Sequence, residues 1–300
     1  MMLRPIVVGL DGSRESLCAA DWAAREAARR GLPLRLVHAW EGMPKDEEPV
    51  SLPELKVPQS RARTILRGAV DRVRAQSPQV RPTAAPIRRR PTEALVAEAD
   101  SAELLVLGSQ GFGGLGGLLA GSVAMAVVAR ARRPVVLVRA GFDAVDEHVP
   151  NGDGQTSAGT AHRPVALALD LTHDCHALLD FAFGAARYRN APLHVVYAWR
   201  LPHAHAHADT AGEHDVASRD AEWALDSVLD PWRDKHPDVT VHAEAEDTRP
   251  VHAVLRAAEH AGLLVLGRET RRGAAGGHTG HVTRMAIQHV GCPIAVVAHE

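Results

Sequence analysis

A glycine-rich stretch carries the residues best suited to binding a phosphate group. It reads GSQGFGGLGGLLAGSV over residues 108–123. Glycine loses more backbone entropy on folding than any other residue, so such a run needs a reason, for example the close approach of a ligand to the main chain. Inward-turned amides followed by a helix that begins at Gly121-Ser122 would form a phosphate cradle. The alternative is a flexible surface loop, which is what most glycine-rich stretches are.

A carboxylate stands at the end of the first apolar run, where the sequence reads LDGS. Asp11 follows PIVVGL, and Gly12-Ser13 turns the chain into a helical segment. In an open parallel sheet, ligands bind beyond the carboxyl ends of the strands, where the winding of the chain reverses. Because the glycine-rich stretch also follows a strand, we expect it and Asp11 at the same edge. A plain helix cap is the alternative role for Asp11.

Short β-branched runs alternate with segments in which Ala, Leu and Val recur at helical spacing. The expected strands are 5–10, 34–40, 80–87, 103–108 and 134–139, and the expected helices are 14–30, 59–76, 91–100 and 122–131. Strands buried on both faces by helices and joined by right-handed crossovers form a parallel, doubly wound, Rossmann-like α/β sheet.

The chain repeats itself with a single offset of 159 residues, which places Asp11 on Asp170 and Gly121 on Gly280. One offset that serves the whole length predicts a duplicated domain. The second set of strands is then expected near 164–169, 192–199, 238–245, 262–267 and 293–298. The predicted domains are 1–140 and 163–300, each with five strands. Residues 141–162, rich in Gly, Asp, Ser and Thr, predict a flexible linker between them.

The spacing Gly108-x-x-Gly111, nine residues, Gly121-Ser122 resembles the ATP signature of the universal stress protein family. The ending ARRPVVLV and the strand order add to the resemblance, which covers nearly all of both copies. The loop lacks the lysine of a P-loop and follows the fourth strand, so neither that motif nor the dinucleotide fingerprint fits. The chain therefore resembles a tandem two-domain universal stress protein, adenine-nucleotide alpha hydrolase-like in fold, with ATP bound by the first domain.

The resemblance also implies roles for individual residues. Asp11 would contact ribose or adenine, Val37 would neighbour adenine, and Ser122 would hold phosphate through its amide and hydroxyl. Val37 could equally be an ordinary core valine. Mg²⁺ would accompany the triphosphate. The complete predicted site consists of Asp11, Gly12, Ser13, Val37, Leu107, Gly108, Gly111, Gly121, Ser122 and Val123.

The second copy departs from the signature, reading Gly267-Arg268-Glu269-Thr270, nine residues, Gly280-His281. A β-branched Thr270 adopts positive φ only at a cost, and Glu269 brings a carboxylate to the phosphate position. Both changes oppose ATP in the second domain. Weak or different anion binding stays open, because positive charge is available from Arg268, Arg271, Arg272 and His278.

Composition narrows the function classes. The net charge is -2, with +4 in residues 1–150 and -6 in residues 151–300, so neither half is a basic nucleic-acid binder. The triplet 88–90 is interpreted as a solvated edge. No apolar run reaches the roughly 18 residues of a membrane helix. Cys18, Cys175 and Cys292 form no CxxC pair, which is typical of a reducing compartment, and we expect a cytoplasmic protein.

Sixteen of the eighteen histidines lie beyond residue 160. The segment HAHAH at 203–207 could bind zinc or nickel, but no fourth ligand at fixed spacing is apparent. The cluster 173–176 at a helix start is interpreted as capping. No metal site is predicted from either.

The resemblance implies an ATP-binding regulatory or stress-protective protein. No general base or covalent nucleophile is evident beside the phosphates, so fast hydrolysis is not expected. The alternatives are a slow ATPase or nucleotidyl transferase assisted by His38 or Ser109, and a nucleotide-free partner-binding module. The final strands, PVVLVR and PIAVVA, are edges that we expect to pair with each other or across a homodimer.

Overall fold

The computed structural model describes residues 3–41, 56–109, 121–157, 159–200, 210–270 and 279–300. The chain divides into two compact units, and the division falls between Asp143 and Ala144. Each unit is a parallel α/β sheet, as the sequence predicts.

The first unit alternates strands and helices along the chain. Its elements are β1 (Ile6–Gly9), α1 (Arg14–Arg30), β2 (Leu34–Trp40), α2 (Lys56–Gln76), β3 (Thr83–Arg88), α3 (Pro91–Ser101), β4 (Leu104–Ser109), α4 (Ser122–Val128) and β5 (Val135–Arg139). The strands are parallel in the order β3-β2-β1-β4-β5. The order reverses between β1 and β4, and the carboxyl ends of these two strands therefore form the expected ligand-binding edge.

The core of the first unit follows from its apolar runs. All four residues of β1 are buried, as are Leu104–Leu107 of β4, because α1 and α2 pack together on one face of the sheet and α3 and α4 on the other. Helix α1 begins after Ser13 and ends at Gly31, whose φ of 64° is the left-handed conformation that glycine adopts without strain. Helix α3 begins with Pro91. Proline is tolerated there because the N–H that it lacks would have no intrahelical partner at the first helical position.

The second unit repeats the scheme. Its elements are β6 (Val165–Leu169), α5 (His176–Arg189), β7 (Leu193–Trp199), α6 (Thr210–Lys235), β8 (Val241–Asp247), α7 (Pro250–Glu259), β9 (Leu263–Glu269), α8 (His281–His289) and β10 (Ile294–His299). These strands are parallel in the order β10-β9-β6-β7-β8.

The strand registers confirm the duplication. Ile6 lies opposite Leu34 and Leu104 in the first unit. Val165 lies opposite Leu193 and Leu263 in the second. Each member of the second set lies 159 residues after its equivalent in the first. The sequence repeat is therefore also a repeat of strand pairing.

Most helices and strands lie within two residues of their predicted bounds, and α2 begins three residues earlier than predicted, at Lys56. The start of β3, the start of β8 and the end of α4 also differ by three residues, in each case because a turn competes. The amide of Val80 donates to the Ser77 carbonyl at 2.9 Å, so β3 starts after that turn, at Thr83. Similarly, β8 starts at Val241 because Val239 is held in a turn by His236. Helix α4 stops at Val128, earlier than the predicted residue 131, where Arg130 donates to the Val127 carbonyl in a tighter turn.

The segment predicted as a linker has more structure in its described residues than its composition indicates. It contains a 3₁₀ turn at Val145–Glu147 and an antiparallel bridge between His148 and His162. The amide of Arg163 donates to the Glu147 carbonyl at 2.8 Å. Glu147 is only 2% exposed. The segment 144–162 thus belongs to the second unit, and its flexibility stays a prediction.

None of the helices in the described part of the chain has the length and apolar character that crossing a membrane requires.

Candidate functional site

The LDGS turn fixes a carboxylate at the carboxyl end of β1. Asp11 Oδ1 accepts the Ser13 amide at 2.9 Å and the Ser13 hydroxyl at 2.5 Å. Gly12 between them has φ of +88°, a conformation that requires glycine here. Partial burial of the Asp11 carboxyl raises its pKa, but the hydrogen bonds from Ser13 and Ser16 outweigh this, and the pKa lies below its usual value. Asp11 is therefore an oriented anion exposed to solvent.

The helix cap at this turn is Ser13 and not Asp11. The Ser13 hydroxyl accepts the Ser16 amide at 3.2 Å, and the Ser16 hydroxyl donates to the Ser13 carbonyl at 2.9 Å. A serine at the N-cap satisfies one of the amides that begin a helix without a partner. The capping role considered for Asp11 is thus performed two residues later, which leaves the carboxylate at the sheet edge.

Gly108 lies where β4 passes the start of α1. A Cβ added to Gly108 would lie 2.6 Å from both the Glu15 carbonyl carbon and the Ser16 amide nitrogen. Only glycine lets β4 approach the first turn of α1 this closely. The preceding Leu107 is 4% exposed and packs against Gly9, so its side chain belongs to the core.

The far end of the glycine-rich stretch opens α4. Gly121 is the N-cap residue, and its carbonyl accepts the Met125 amide at 3.1 Å. The amides of Ser122 and Val123 precede this first intrahelical bond, so the helix does not use them. Ser122 is exposed. Residues 110–120, which include Gly111, lie outside the described part of the chain.

Strand β2 contributes one core residue and one polar residue beside the site. Val37 is completely buried, and its carbonyl accepts the Leu10 amide at 2.8 Å. His38 is 8% exposed, and its Nδ1 donates to the Leu10 carbonyl at 2.7 Å. Both contacts hold β2 against the chain just before Asp11. The side chain of Val37 therefore lies in the core, which is the alternative that the sequence left open.

The second unit repeats the acidic turn with different residues. Asp170 Oδ1 accepts the Thr172 amide at 3.1 Å and its hydroxyl at 2.6 Å. Burial raises the pKa of Asp170, but the donors of Thr172 and the neighbouring His173 outweigh it, so this pKa also lies below its usual value. Threonine thus replaces serine in the same turn, and the change from LDGS to LDLT preserves the carboxylate.

A cleft of about 360 Å³ lies at the carboxyl ends of β6, β7 and β9, and we call it the second-unit cleft. Its apolar walls include Val196, Val254 and Leu266, and its polar lining includes Asp170 and Glu269. Sequence reasoning missed this cleft. The only available signal was Asp170, because the decayed glycine motif points away from a binding site.

The motif position Thr270 is engaged within the second unit. Its amide donates to the His299 carbonyl at 2.8 Å, and its hydroxyl donates to the same oxygen at 2.9 Å. A Cβ on Gly267 would lie 2.7 Å from His299 Nε2, so this imidazole lies against the equivalent of Gly108. Both donors of Thr270 are therefore used in a contact with β10.

The other candidate clusters have structural roles where they are described. Asp174 Oδ1 accepts the His176 amide at 2.9 Å, which is a capping contact. Burial, followed by the charges of Asp170 and Asp174, raises the pKa of the Cys175 thiol to about 11. Arg90 pairs with Glu41 at 2.9 Å on the surface. Within the described ranges no cluster of three His, Cys, Asp or Glu could hold a metal, and HAHAH at 203–207 lies outside them.

The chain is similar to universal stress proteins both in sequence and in structure. A model of the universal stress protein family matches residues 2–139 and 162–298. A universal stress protein of Mycolicibacterium smegmatis is 35% identical over 97% of this chain and 96% of its own. A crystal structure of a universal stress protein from Archaeoglobus fulgidus superimposes with a TM-score of 0.68 at 13% identity, covering 99% and 98% of the two chains. A universal stress protein solved in complex with cAMP is 30% identical over 47% of this chain and all of its own, with a TM-score of 0.37.

Proposed function

The chain belongs to the universal stress protein family, and we propose that its first unit binds ATP and thereby regulates a stress response. One observation carries this proposal. The oriented carboxylate of Asp11 and the amides that open α4 follow β1 and β4, which are neighbours in the sheet with Gly9 opposite Leu107. An acceptor for ribose hydroxyls and donors for phosphate are thus supplied from the same edge.

Each proposed site residue is assigned to the nucleoside or to the phosphates of ATP. Asp11 accepts from ribose or adenine, and the LDGS turn that contains Gly12 and Ser13 holds it in place. The neighbourhood of Leu107 and Gly108 flanks the nucleoside, and the main chain of Val37 supports its adenine side. The phosphates are held by amides of Gly111, Gly121, Ser122 and Val123, with help from the Ser122 hydroxyl.

Mg²⁺ is proposed as a companion of the triphosphate. Magnesium in nucleotide sites keeps several waters and takes most other ligands from phosphate oxygens, with one or two carboxylates from the protein. In this site the phosphate oxygens and water would supply its ligands, because Asp11 is assigned to the nucleoside.

Ser109 and His38 are the two side chains that could assist hydrolysis, and the surroundings of both favour binding without fast turnover. Ser109 is 3% exposed, which is unfavourable for a nucleophile. His38 uses Nδ1 to hold the Leu10 carbonyl, which gives the ring a structural role. A cytoplasmic location is proposed because none of the three cysteines is in a disulfide. Pairing of the final strands, within one chain or in a homodimer, stays a proposal that light scattering of the purified protein tests.

The test of function uses the purified full chain. Acid extraction followed by chromatography identifies any nucleotide that copurifies, and calorimetric titration with Mg²⁺ and ATP measures stoichiometry. We expect one ATP per chain and negligible phosphate release over hours. No binding at millimolar ATP would overturn the proposal, and sustained turnover would favour the slow-ATPase alternative.

A further inference from the structure

Helices α2 and α6 occupy equivalent positions in the repeat but carry opposite charge. The sequence of α2 contains six basic residues and one acidic residue, whereas that of α6 contains seven acidic and three basic residues. The offset of 159 residues that relates the two units places Arg61 on Asp220 and Arg67 on Asp226. All four residues are exposed. The charge is therefore reversed at two equivalent surface positions of the duplicated domain.

The exposed surface of α6 around Trp223, with Asp220 and Asp226, is called here the outer face of α6. Trp223 lies at its centre and is 73% exposed. The two carboxylates lie three residues before and three residues after it, which places them on the same side of the helix. Trp and Arg are enriched among the residues that dominate binding energy, and a guanidinium placed over an indole ring is a favourable cation–π contact. The outer face of α6 therefore favours a partner that offers arginines.

The outer face of α2 consists of Arg61, Thr64, Arg67 and Gly68. Thr64 is the equivalent of Trp223 and lies at the centre, with an arginine three residues to either side. Gly68, one turn further, is exposed and has nothing within 4 Å of an added Cβ, so an indole ring has room to pack there. Among the described residues neither arginine forms an ion pair, and both guanidinium groups are available to a partner.

The two outer faces are complementary when the helices run antiparallel with their central residues opposite each other. A residue three positions before one centre then meets a residue three positions after the other, which places Arg61 opposite Asp226 and Arg67 opposite Asp220. The same arrangement of either helix with its own copy brings Asp220 against Asp226 or Arg61 against Arg67. Like charges across an interface are unfavourable, so the pattern favours α2 with α6 over either helix with itself.

We propose that the outer face of α2 in one copy of this chain binds the outer face of α6 in a second copy, antiparallel, with Trp223 packed between Arg61 and Arg67. Each chain has one helix of either kind, and a two-fold symmetric pair of chains would make the contact twice. The inference does not depend on ATP binding or on pairing of the final strands, because every group that it uses lies on α2 or α6.

Association through this contact should be weak and sensitive to salt. A pair of helix faces is small for an interface, below the roughly 1,200 Å² of stable complexes. Asp226 also pairs with Arg233 of its own helix at 2.9 Å, which reduces the charge that it presents to a partner. We expect self-association at about 10–100 μM protein in about 50 mM salt, and its loss at roughly 500 mM salt.

Exchange of the two charge patterns tests the proposal on the full-length chain. The variant Arg61→Glu/Arg67→Glu makes both outer faces acidic, and Asp220→Arg/Asp226→Arg makes both basic. In sedimentation velocity, each variant alone should have a lower weight-average sedimentation coefficient than the unmodified chain. An equimolar mixture of the two should regain the higher value, because opposite charges again face each other in both contacts.

Two further variants separate the contact from general effects of charge. Trp223→Ala should weaken association at least about tenfold, since exposed aromatic residues of this kind anchor interfaces. Arg4→Glu/Arg81→Glu is the matched control, because it reverses two exposed arginines that lie outside α2. The control should associate like the unmodified chain. Circular dichroism and thermal unfolding establish that each variant is folded.

Three results would overturn the proposal. The first is an unmodified chain that does not associate at about 100 μM in low salt, or an α2 variant that associates equally well. The second is a mixture of the two folded variants that fails to regain association. The third is a control that loses as much association as the α2 variant, since net charge alone would then be responsible. ATP binding, measured separately by calorimetry, should be the same in all these variants.

Discussion

Asp11 and Ser13 form a closed pair in which one carboxylate oxygen accepts both the amide and the hydroxyl of the serine, at 2.9 and 2.5 Å. The same serine caps α1. One residue therefore orients the candidate ligand-binding carboxylate and stabilises the first helix, and its removal should affect both properties.

Ser13→Ala should lower stability and weaken ATP binding together. Loss of a serine N-cap costs about 1 kcal/mol, and Asp11 loses one of its donors. Thermal unfolding and calorimetry measure the two effects. Ser13→Thr is the matched control, since Thr172 makes the equivalent contacts to Asp170. An unaltered melting temperature in the alanine variant would contradict the capping role.

The stability that Asp11 supplies should depend on pH. Its pKa is lowered in the folded state, so the stabilising contribution is complete above the ordinary aspartate pKa and is lost as pH falls through the lowered value. The difference in melting temperature between the unmodified chain and Asp11→Asn should be largest near neutral pH and should shrink in acid. Melting temperatures from neutral pH down to the acid range test this. A constant difference across the range would show that charge is not involved.

Gly108→Ala and Gly121→Ala should behave differently. The new methyl group at Gly108 would meet backbone atoms at 2.6 Å, whereas nothing lies within 4 Å at Gly121. Overpacking of this kind typically costs about 1–3 kcal/mol. We expect a clear drop in melting temperature for Gly108→Ala and little change for Gly121→Ala. Equal effects would show that β4 does not need this close approach to α1.

Gly121→Val should reduce ATP affinity by at least about tenfold, or ~1.4 kcal/mol, because a branched side chain obstructs the approach of phosphate to the α4 amides. Gly280→Val is the matched control, since neither glycine has a neighbour within 4 Å of an added Cβ. The control should leave ATP stoichiometry unchanged. Calorimetric titration of both variants decides, and full ATP affinity in Gly121→Val would contradict the phosphate cradle.

Features that depend on neighbours in sequence were predictable. The LDGS turn follows from local chemistry, since the glycine that permits a positive φ and the hydroxyl two residues after the aspartate are both visible in the sequence. The buried runs of β1 and β4 predicted the sheet for a similar reason. Strand bounds failed where a local turn, such as that of Val80 with Ser77, competes with strand pairing.

Features that depend on distant residues were not predictable. His299 lies 29 residues beyond Thr270, and only the pairing of β9 with β10 brings its carbonyl to the Thr270 amide. The packing of Gly108 against Glu15 likewise requires the tertiary fold. The role of Val37 could not be decided from sequence, because core valines and ligand-contacting valines have the same pattern in a buried strand.

The hydrogen bond from the Arg163 amide to the Glu147 carbonyl determines where an expressed fragment of the second half should begin. The same carbonyl of Glu147 lies 3.4 Å from a Cβ built on Gly262, at the start of β9, and the Gly262 amide donates to the Pro164 carbonyl. A fragment that begins at residue 163 would remove this cover and expose the amino end of β9. Expression of the second half alone should therefore begin at Ala144, even though the repeated sequence resumes almost twenty residues later.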